Sequence, residues 1–189
     1  MTTKSRQSMR YIKWISKGHF GTRALKVLYT SYVRSKLEFG SVIWDPYTDV
    51  YRADIESIQK QFVMYALGDT NRVPPYRLLP YEERCQKLGL ETLAVRRKQA
   101  ISMMAYVCYN GVISDESINR KFIRQNQYTV LRHNKLLREM LYFNDYGYNQ
   151  SLAKIIRRVN ECSEYMALSR CKFRTEVKKK LREERTDES

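Results

Sequence analysis

Apolar residues recur at helical spacing along most of the chain. The first clear stripe consists of Leu25, Leu28 and Tyr32, and it extends as far as Phe39. Because these positions lie three, four and seven residues apart, they share one side of an α-helix, and Thr22 just before them is a suitable N-cap. The pattern predicts a helix whose basic residues fall off that stripe.

The same spacing predicts a second helix downstream. After the break at Asp45 and Pro46, it is expected to start at Thr48 or Asp49 and to close near Gly68. Two helices joined by a short corner that contains proline tend to pack as an antiparallel hairpin. The predicted buried positions of this second helix are Ile55, Ile58, Phe62 and Tyr65.

Residues 71–80 separate this hairpin from the next helices. They hold three of the four prolines, so they are predicted to form a non-helical strap. Pro80 then opens a short helix that ends at Gly89, and Thr92 caps a longer helix that closes at Gly111. The predicted buried stripe of the longer helix is Ile101, Met104, Ala105 and Cys108.

The pattern is weak between residues 119 and 150. Tyr128, Val130 and Arg132 alternate as in a short strand, and residues 144–149 indicate turns. Helical spacing returns at Ser151, and a last helix capped by Ser169 is expected to fray into the acidic tail. The predicted apolar positions of these two helices are Leu152, Ile155, Ile156 and Val159, then Phe173, Val177 and Leu181, with Lys154, Arg157 and Arg158 on the opposite face of the first.

Together these patterns predict a mostly α fold, namely a helical hairpin or bundle with a short irregular or β-containing segment around 119–150. With 189 residues, 43% of them hydrophobic, the chain can bury a core. We divide it into a basic N-terminal segment, a helical region, an irregular connector, a pair of C-terminal helices and an acidic tail. Their bounds are 1–20, 21–112, 113–150, 151–182 and 183–189.

Charge is unevenly distributed along the chain. The net charge of +15 divides into +8 over residues 1–38, −2 over 39–95, +12 over 96–182 and −3 over 183–189. Two basic blocks separated by a near-neutral segment favour a face that binds a polyanion. The alternative is that these Lys and Arg side chains only solvate helix faces.

The first basic block also carries aromatic side chains among its cations. Tyr11, Trp14 and Phe20 are interleaved with Lys and Arg, a combination that suits single strands or duplex ends, on which bases can stack. Tyr29 and Tyr32 fall at helical spacing with apolar residues, so some of these aromatics are expected in the core.

A run of cations begins the predicted helix after Thr92. Arg96, Arg97 and Lys98 lie near its start, where the helix dipole favours anions rather than cations. Either an acidic neighbour such as Glu91 or a bound phosphate would offset this charge.

Residues that bind metals or form disulfides are sparse. Four cysteines without a Cys-x-x-Cys pair, and two histidines, favour reduced thiols over disulfides or a zinc site, so no cofactor is predicted.

The uncharged residues 99–114 are too short and too polar to cross a bilayer, and residues 1–10 are not a secretory signal. We expect an intracellular protein in the nucleus or cytoplasm, without a membrane partner. The basic cluster at 178–182 is consistent with a nuclear import signal or with a solvated helix face.

Catalytic signatures are lacking in the sequence. Two-metal phosphodiester chemistry uses clustered carboxylates, but there is no Asp-Asp pair, and the adjacent acids lie at predicted helix starts or in the tail. No glycine-rich phosphate cradle and no nucleophile elbow is present either. We therefore assign no catalytic residue and no metal ligand, and we expect the chain not to be an enzyme on its own.

Several segments resemble, in order, the region just after the polymerase domain in reverse transcriptases of non-LTR, LINE-like retrotransposons, with jockey-type elements most similar. The longest is LKVLYTSYVRSKLEFGSVIWDPY at residues 25–47. The others are IESIQKQF (55–62), LPYEERC (79–85), LGLETLAVRR (88–97), NDYGYN (144–149) and SRCKFR (169–174). The resemblance covers nearly the whole chain.

The resemblance implies a thumb and post-thumb region, whose helices hold the template and primer while a palm domain adds nucleotides. The family's aromatic-x-Asp-Asp palm motif lies upstream of the matching region and is absent from this sequence. Residues 21–112 would then be the thumb-like part. By position the resemblance makes Tyr29, Leu37, Trp44, Phe62 and Leu88 packing residues.

The expected function is that of a C-terminal fragment of an RNA-directed DNA polymerase, which retains template–primer binding through basic helices. Its partners would be RNA, DNA or an RNA–DNA hybrid, and the palm and fingers of a reverse transcriptase. The alternatives are an accessory subunit that completes a separately encoded palm, or a structural remnant with no selected function. The candidate nucleic-acid-binding residues are Lys13, Lys17, Arg23, Lys26, Arg34, Lys36, Arg96, Arg97, Lys98, Arg157 and Arg158.

Overall fold

The structure is a computed structural model that describes residues 2–17, 19–68, 79–113, 115–122, 135–139 and 141–187, with the backbone alone for residues 118, 119 and 185–187. Over these ranges it is mostly α-helical and has no β-strand, which confirms the predicted mostly α fold. The helices are α1 (Thr2–Ser16), α2 (Thr22–Leu28), a π-helix (Tyr29–Arg34), α3 (Ser35–Glu38), α4 (Ser41–Trp44), α5 (Asp49–Ala66), α6 (Tyr81–Lys87), α7 (Leu93–Tyr109), α8 (Glu116–Asn119), α9 (Asp145–Tyr148), α10 (Ser151–Glu161), a 3-10 turn (Ser163–Tyr165) and α11 (Arg170–Asp187).

The chain divides into two compact units. The first comprises Met1–Ser41 and Pro46–Arg96, and the second comprises Val42–Asp45 and Arg97–Ser189. The division therefore falls within α4 and α7. In the described ranges, no helix is both long and apolar enough to span a membrane.

A continuous helical run from α2 through the π-helix to α3 lies at the centre of the first unit. Its buried residues are Leu25, Tyr29, Val33 and Leu37, each four positions after the one before. A π-helical turn bonds residue i to residue i+5, so it holds more residues than an α-helical turn. A spacing of four therefore keeps these side chains aligned on one side of the run.

The predicted apolar stripe of this run is wrong after its first residue. Tyr32 and Phe39 are 59% and 84% exposed, and Leu28 is only half-buried. The prediction assumed α-helical spacing throughout, and the π-helical turn rotates the downstream residues away from that register. The predicted cap is also displaced by one residue, since Gly21 is the N-cap and Thr22 begins α2.

Helix α5 packs against this run through a pair of stacked rings. The ring centroids of Tyr29 and Phe62 are 4.0 Å apart and their planes differ by 9°. The hydroxyl of Tyr29 also donates a hydrogen bond of 2.9 Å to Oε1 of Gln59, a fully buried amide on the same helix. The helix begins at Asp49 and its C-terminus is followed by Gly68 at φ 73°, which confirms both predicted ends.

The predicted caps of α6 and α7 are confirmed. Gly89 follows α6 at φ 59°, a left-handed conformation that favours glycine. The backbone N–H of Val95 donates to Oγ1 of Thr92 over 3.4 Å, as expected of an N-cap.

The second unit has its core among α7, α10 and α11. Six of the seven predicted apolar residues of the last two helices are buried, namely Ile155, Ile156, Val159, Phe173, Val177 and Leu181. The seventh, Leu152, is only half-buried, and Ala153 is buried although it was not predicted. Two expectations are wrong. Arg158 is 8% exposed and so is not on a solvated face of α10, and α11 stays helical as far as Asp187 instead of fraying at the acidic tail.

The connector between α7 and α10 contains short helices in its described parts. Residues 144–149, predicted as turns, include the single helical turn α9, where the side chain of Asn144 accepts a hydrogen bond of 2.7 Å from the N–H of Gly147. The strand predicted at Tyr128, Val130 and Arg132 lies outside the described residues, as does most of the predicted strap at 71–80.

Candidate nucleic-acid interface

Helix α1 has one buried side and one exposed side. Ser5, Met9, Ile12 and Ser16 are buried, and their three- and four-residue spacing defines the side that contacts the rest of the first unit. The opposite side carries a group that we call the α1 outer face. It consists of Lys4, Arg10, Tyr11 and Trp14, with Lys17 directly after the helix.

The two aromatic residues of the α1 outer face are in contact and exposed. Tyr11 and Trp14 are 60% and 63% exposed, and their ring centroids are 6.0 Å apart with an angle of 30° between the planes. Nζ of Lys17 lies 5.9 Å from the centre of the Trp14 ring, within cation–π distance. The face therefore presents aromatic surface beside positive charge.

The cations of the α1 outer face have no carboxylate partner in the described part of the chain. Lys4, Arg10 and Lys17 are exposed and form no ion pair there, and α1 itself contains no acidic residue. A polyanion would therefore meet these charges without displacing a protein carboxylate.

Other cations of the first unit hold helices together. Arg6 on α1 pairs with Asp54 on α5, and Nζ of Lys13 lies 5.6 Å from the centre of the Tyr65 ring. Lys36 donates a hydrogen bond of 2.7 Å to Oγ of Ser8 on α1, and Lys26 donates one of 3.0 Å to the carbonyl of Gly89. Of the predicted site residues in this unit, Arg23 is exposed and has no ion pair with a described residue.

Arg34 and Arg96 share one carboxylate. Arg96 donates two hydrogen bonds to Glu38 and lies 3.7 Å from Glu91, while Arg34 approaches Glu38 at 3.6 Å. The hydrogen bonds that Arg96 donates to the Glu38 carboxylate raise the pKa of Arg96. The sequence left open whether an acidic residue or a bound phosphate offsets the positive charge at the start of α7. The structure places two acidic residues, Glu38 and Glu91, beside Arg96.

In the second unit Asp45 is paired with two cations. Nε of Arg97 lies 3.0 Å from Oδ1 of Asp45, and Nζ of Lys154 lies 2.7 Å from Oδ2. The side chain of Arg97 is 5% exposed and that of Lys154 is 12% exposed. The pairing joins α7 to α10 and leaves little of either cation for an external ligand.

Arg158 is held inside the second unit. Its Nε donates a hydrogen bond of 2.7 Å to Oγ of Ser102, and its Nη1 lies 2.7 Å from Oε2 of Glu161. Lys98 is more exposed, at 53% of its side chain, and lies 3.9 Å from Glu184. Lys98 is therefore more accessible to a ligand than Arg97 or Arg158.

Arg157 stacks on an exposed aromatic ring. Its guanidinium carbon lies 3.6 Å from the centre of the Tyr148 ring, and its Nη2 donates a hydrogen bond of 2.7 Å to the Tyr148 carbonyl. The pair joins α10 to α9, and it combines a cation with a half-exposed ring, as the α1 outer face does.

Cysteine chemistry is confined to one accessible thiol. Cys85, Cys108 and Cys162 are buried, and burial raises the pKa of each, which keeps them as neutral thiols. Cys171 on α11 is exposed. Among the described residues no three His, Cys, Asp or Glu side chains come together as a metal site.

Two cations of the α1 outer face, Lys4 and Arg10, were not among the predicted site residues. Both fall at helical spacing with Tyr11 and Trp14, so an α-helix assigned to residues 2–16 would have placed them on one side.

Comparisons with protein-family models, with curated proteins and with solved structures find no match to this chain.

Proposed function

We propose that the chain is the thumb and post-thumb region of a non-LTR retrotransposon reverse transcriptase, and that it binds RNA, DNA or their hybrid. The order of the six resembling segments supports the family origin, and these segments lie between residues 25 and 174 and include parts of both basic blocks of the sequence. In such enzymes nucleotide addition belongs to the palm, so the chain on its own is proposed to be noncatalytic.

The observation that carries the binding proposal is the α1 outer face. It places three cations and two exposed aromatic rings on one side of a helix without an acidic residue. Phosphates attract such cations in a sequence-independent way, and binding releases the counterions condensed on the nucleic acid. Exposed rings add contacts to bases, which a purely solvated helix face would not need.

The positions of the other cations support this choice of face. Arg34, Arg96, Arg97 and Arg158 are each close to protein carboxylates, and charge within such pairs is largely neutralised at the distance of a phosphate. The exposed predicted residues are Lys17, Arg23, Lys36 and Lys98, and of these Lys36 donates its hydrogen bond to Ser8 on α1. We therefore expect α1 to contribute more to binding than the start of α7.

Binding is best measured by fluorescence anisotropy with labelled oligonucleotides about 20 nucleotides long, namely a DNA, an RNA and an RNA–DNA hybrid. Affinity is expected to fall steeply as salt rises from about 50 to about 200 mM. The double variant Arg10→Gln/Lys17→Gln should reduce the slope of log K against log salt on single strands by about 1.4, since each phosphate contact contributes about 0.7.

The matched control is Lys87→Gln/Lys121→Gln, which makes the same change in net charge. Both lysines are exposed, and neither lies on α1. If both double variants reduce affinity equally, charge alone drives binding and the α1 outer face is not the site. If the unmodified chain fails to bind any of the three nucleic acids at about 50 mM salt, the proposed function is rejected.

A second candidate is an accessory subunit that docks on a separately encoded palm. Exposed apolar side chains in the first unit favour a protein partner, because Phe39, Val50 and Tyr51 are 84%, 76% and 66% exposed. Primer extension with Mg²⁺, using the chain alone and mixed with an upstream palm fragment, tests this. Activity only in the mixture supports the subunit, and activity of the chain alone overturns its noncatalytic assignment.

A further inference from the structure

Tyr11 and Trp14 are unusual because two large rings are exposed side by side on a surface helix. Trp14 lies directly opposite the buried residues Ser5, Met9, Ile12 and Ser16, so it cannot reach the core of its own unit by a change of rotamer. Among the described residues, each ring has the other as its one aromatic neighbour. A large part of both rings is therefore left for an external ligand.

We propose that Tyr11 and Trp14 form a stacking platform for the unpaired bases of a single-stranded nucleic acid, an inference that rests on the proposed nucleic-acid binding and specifies its substrate. The two rings lie 6.0 Å apart and differ in plane by 30°, so they form one bent aromatic surface and are not stacked face to face. Bases can stack on such a surface whatever their identity, since every base has a π-face.

The surrounding charge fits the backbone of the same strand. Lys17 holds its ammonium 5.9 Å from the centre of the Trp14 ring, and Arg10 immediately precedes Tyr11. At about 1.5 Å of rise per residue, Arg10 and Lys17 are about 10 Å apart along the helix axis, which is about three phosphate spacings of a stacked strand. The two cations therefore flank the platform at a separation that suits phosphates on either side of the stacked bases.

A single strand fits this face better than a duplex. In a duplex the bases stack on each other, so their faces are hidden except at the ends, and the platform would contribute nothing to binding along its length. An apolar partner helix fits less well, because the cations Arg10 and Lys17 lie beside the two rings. The experiments below distinguish a single strand from a duplex and from an apolar partner helix.

The chain offers a direct optical probe, because it contains two tryptophans, Trp14 and Trp44. In the variant Trp44→Phe, Trp14 is the remaining tryptophan, and a stacked base quenches indole fluorescence. Titration with oligothymidylate is expected to quench this emission in step with the anisotropy change. A long blunt-ended duplex of two complementary strands, bound through its phosphates, is expected to leave the emission largely unchanged.

A second measurement does not depend on that variant. Tyr11→Ala and Trp14→Ala should each weaken oligothymidylate binding about tenfold, within the range measured for one stacked base, and should leave the salt dependence unchanged. Tyr51→Ala is the matched control, because Tyr51 is a comparably exposed tyrosine (66%) on α5. It should change affinity by less than about twofold.

The outcomes separate the platform from the proposed function. If anisotropy reports binding while Trp14 emission is constant and both alanine variants bind normally, the platform is wrong and nucleic-acid binding stands. If the long duplex quenches Trp14 as strongly as the single strand, the single-strand preference is wrong. If the chain binds no nucleic acid but the alanine variants abolish self-association or capture of an apolar partner, both proposals are overturned.

Discussion

Arg96 donates two hydrogen bonds to the carboxylate of Glu38, a residue 58 positions earlier in the chain, from Nε to Oε1 and from Nη2 to Oε2. The side chains are 29% and 25% exposed, so the pair is partly withdrawn from water. A two-point interaction of this kind fixes orientation as well as distance. The pair joins the end of α3 to the start of α7 within the first unit.

Substitution of Arg96 by Gln is expected to destabilise the first unit by about 2 kcal/mol. The change removes both charge-assisted hydrogen bonds and leaves Glu38 with the more distant Arg34, at 3.6 Å. Urea unfolding followed by far-UV circular dichroism measures the difference.

The control for this prediction is Arg120→Gln. Arg120 pairs with Glu116 over 2.9 Å, but the two side chains are 80% and 83% exposed. Solvent screens such a pair, so its loss should change stability by less than about 0.5 kcal/mol. Equal effects of the two substitutions would contradict a stabilising role for the Arg96–Glu38 pair.

The Tyr29 hydroxyl is expected to contribute to stability separately from its ring. Tyr29→Phe keeps the stacking on Phe62 but removes the donor to the buried oxygen of Gln59. Leaving that oxygen without its donor should cost about 1 to 2 kcal/mol in the free energy of unfolding. Tyr32→Phe, at an exposed position of the same helical run, should be close to neutral in the same measurement.

Thiol reactivity should distinguish one cysteine from the other three. Cys85, Cys108 and Cys162 are buried and burial raises the pKa of each, whereas Cys171 is exposed. A chromogenic thiol reagent at neutral pH should therefore modify one thiol rapidly in the folded protein and all four in denaturant. If the variant Cys171→Ser still reacts rapidly with the reagent in the folded state, one of the three buried cysteines becomes accessible readily, which would contradict this prediction.

The second unit should lose stability in acid partly through Glu139. Hydrogen bonds from Lys135 at 2.9 Å and from Asn160 at 3.0 Å lower the pKa of Glu139 below its ordinary value of 4.5. Because the folded pKa is the lower one, the contribution of Glu139 is present above about pH 4.5 and is lost as pH falls through the folded pKa.

The variant Glu139→Gln removes this titration. The stability of the unmodified chain minus that of the variant should therefore shrink between about pH 5 and about pH 3, as measured by urea unfolding at each pH. A difference that stays constant over this interval would show that the ion pair with Lys135 has no net effect. Lys135→Gln should reproduce the loss at neutral pH.

Most helices could be predicted from sequence because their apolar residues repeat every three or four positions. The burial of Ile101 and Cys108 on α7, and of Phe173 and Leu181 on α11, follows directly from that period. The run from Leu25 to Leu37 was harder, since both sides of it are apolar or aromatic. Its π-helical turn selects the side with Tyr29 over the side with Tyr32, and a π turn has no distinct sequence pattern.

The candidate site was only partly predictable. The two basic blocks and their aromatic residues are visible in the sequence, but the accessible cations among them are not. Arg97 precedes Lys98 by one position, yet one side chain is 5% exposed and the other is 53% exposed. That difference comes from Asp45, which lies 52 positions from Arg97 in the chain.

By itself the amino-acid sequence determined the helical class of the fold, the positions of most helix ends and the concentration of positive charge in two blocks. These are local properties, set by residue spacing, caps and composition. The tertiary structure alone decided which cations meet a carboxylate and which remain on the α1 outer face. Coulomb attraction and desolvation depend on distance in space, and folding brings together partners such as Arg96 and Glu38 that the sequence holds far apart.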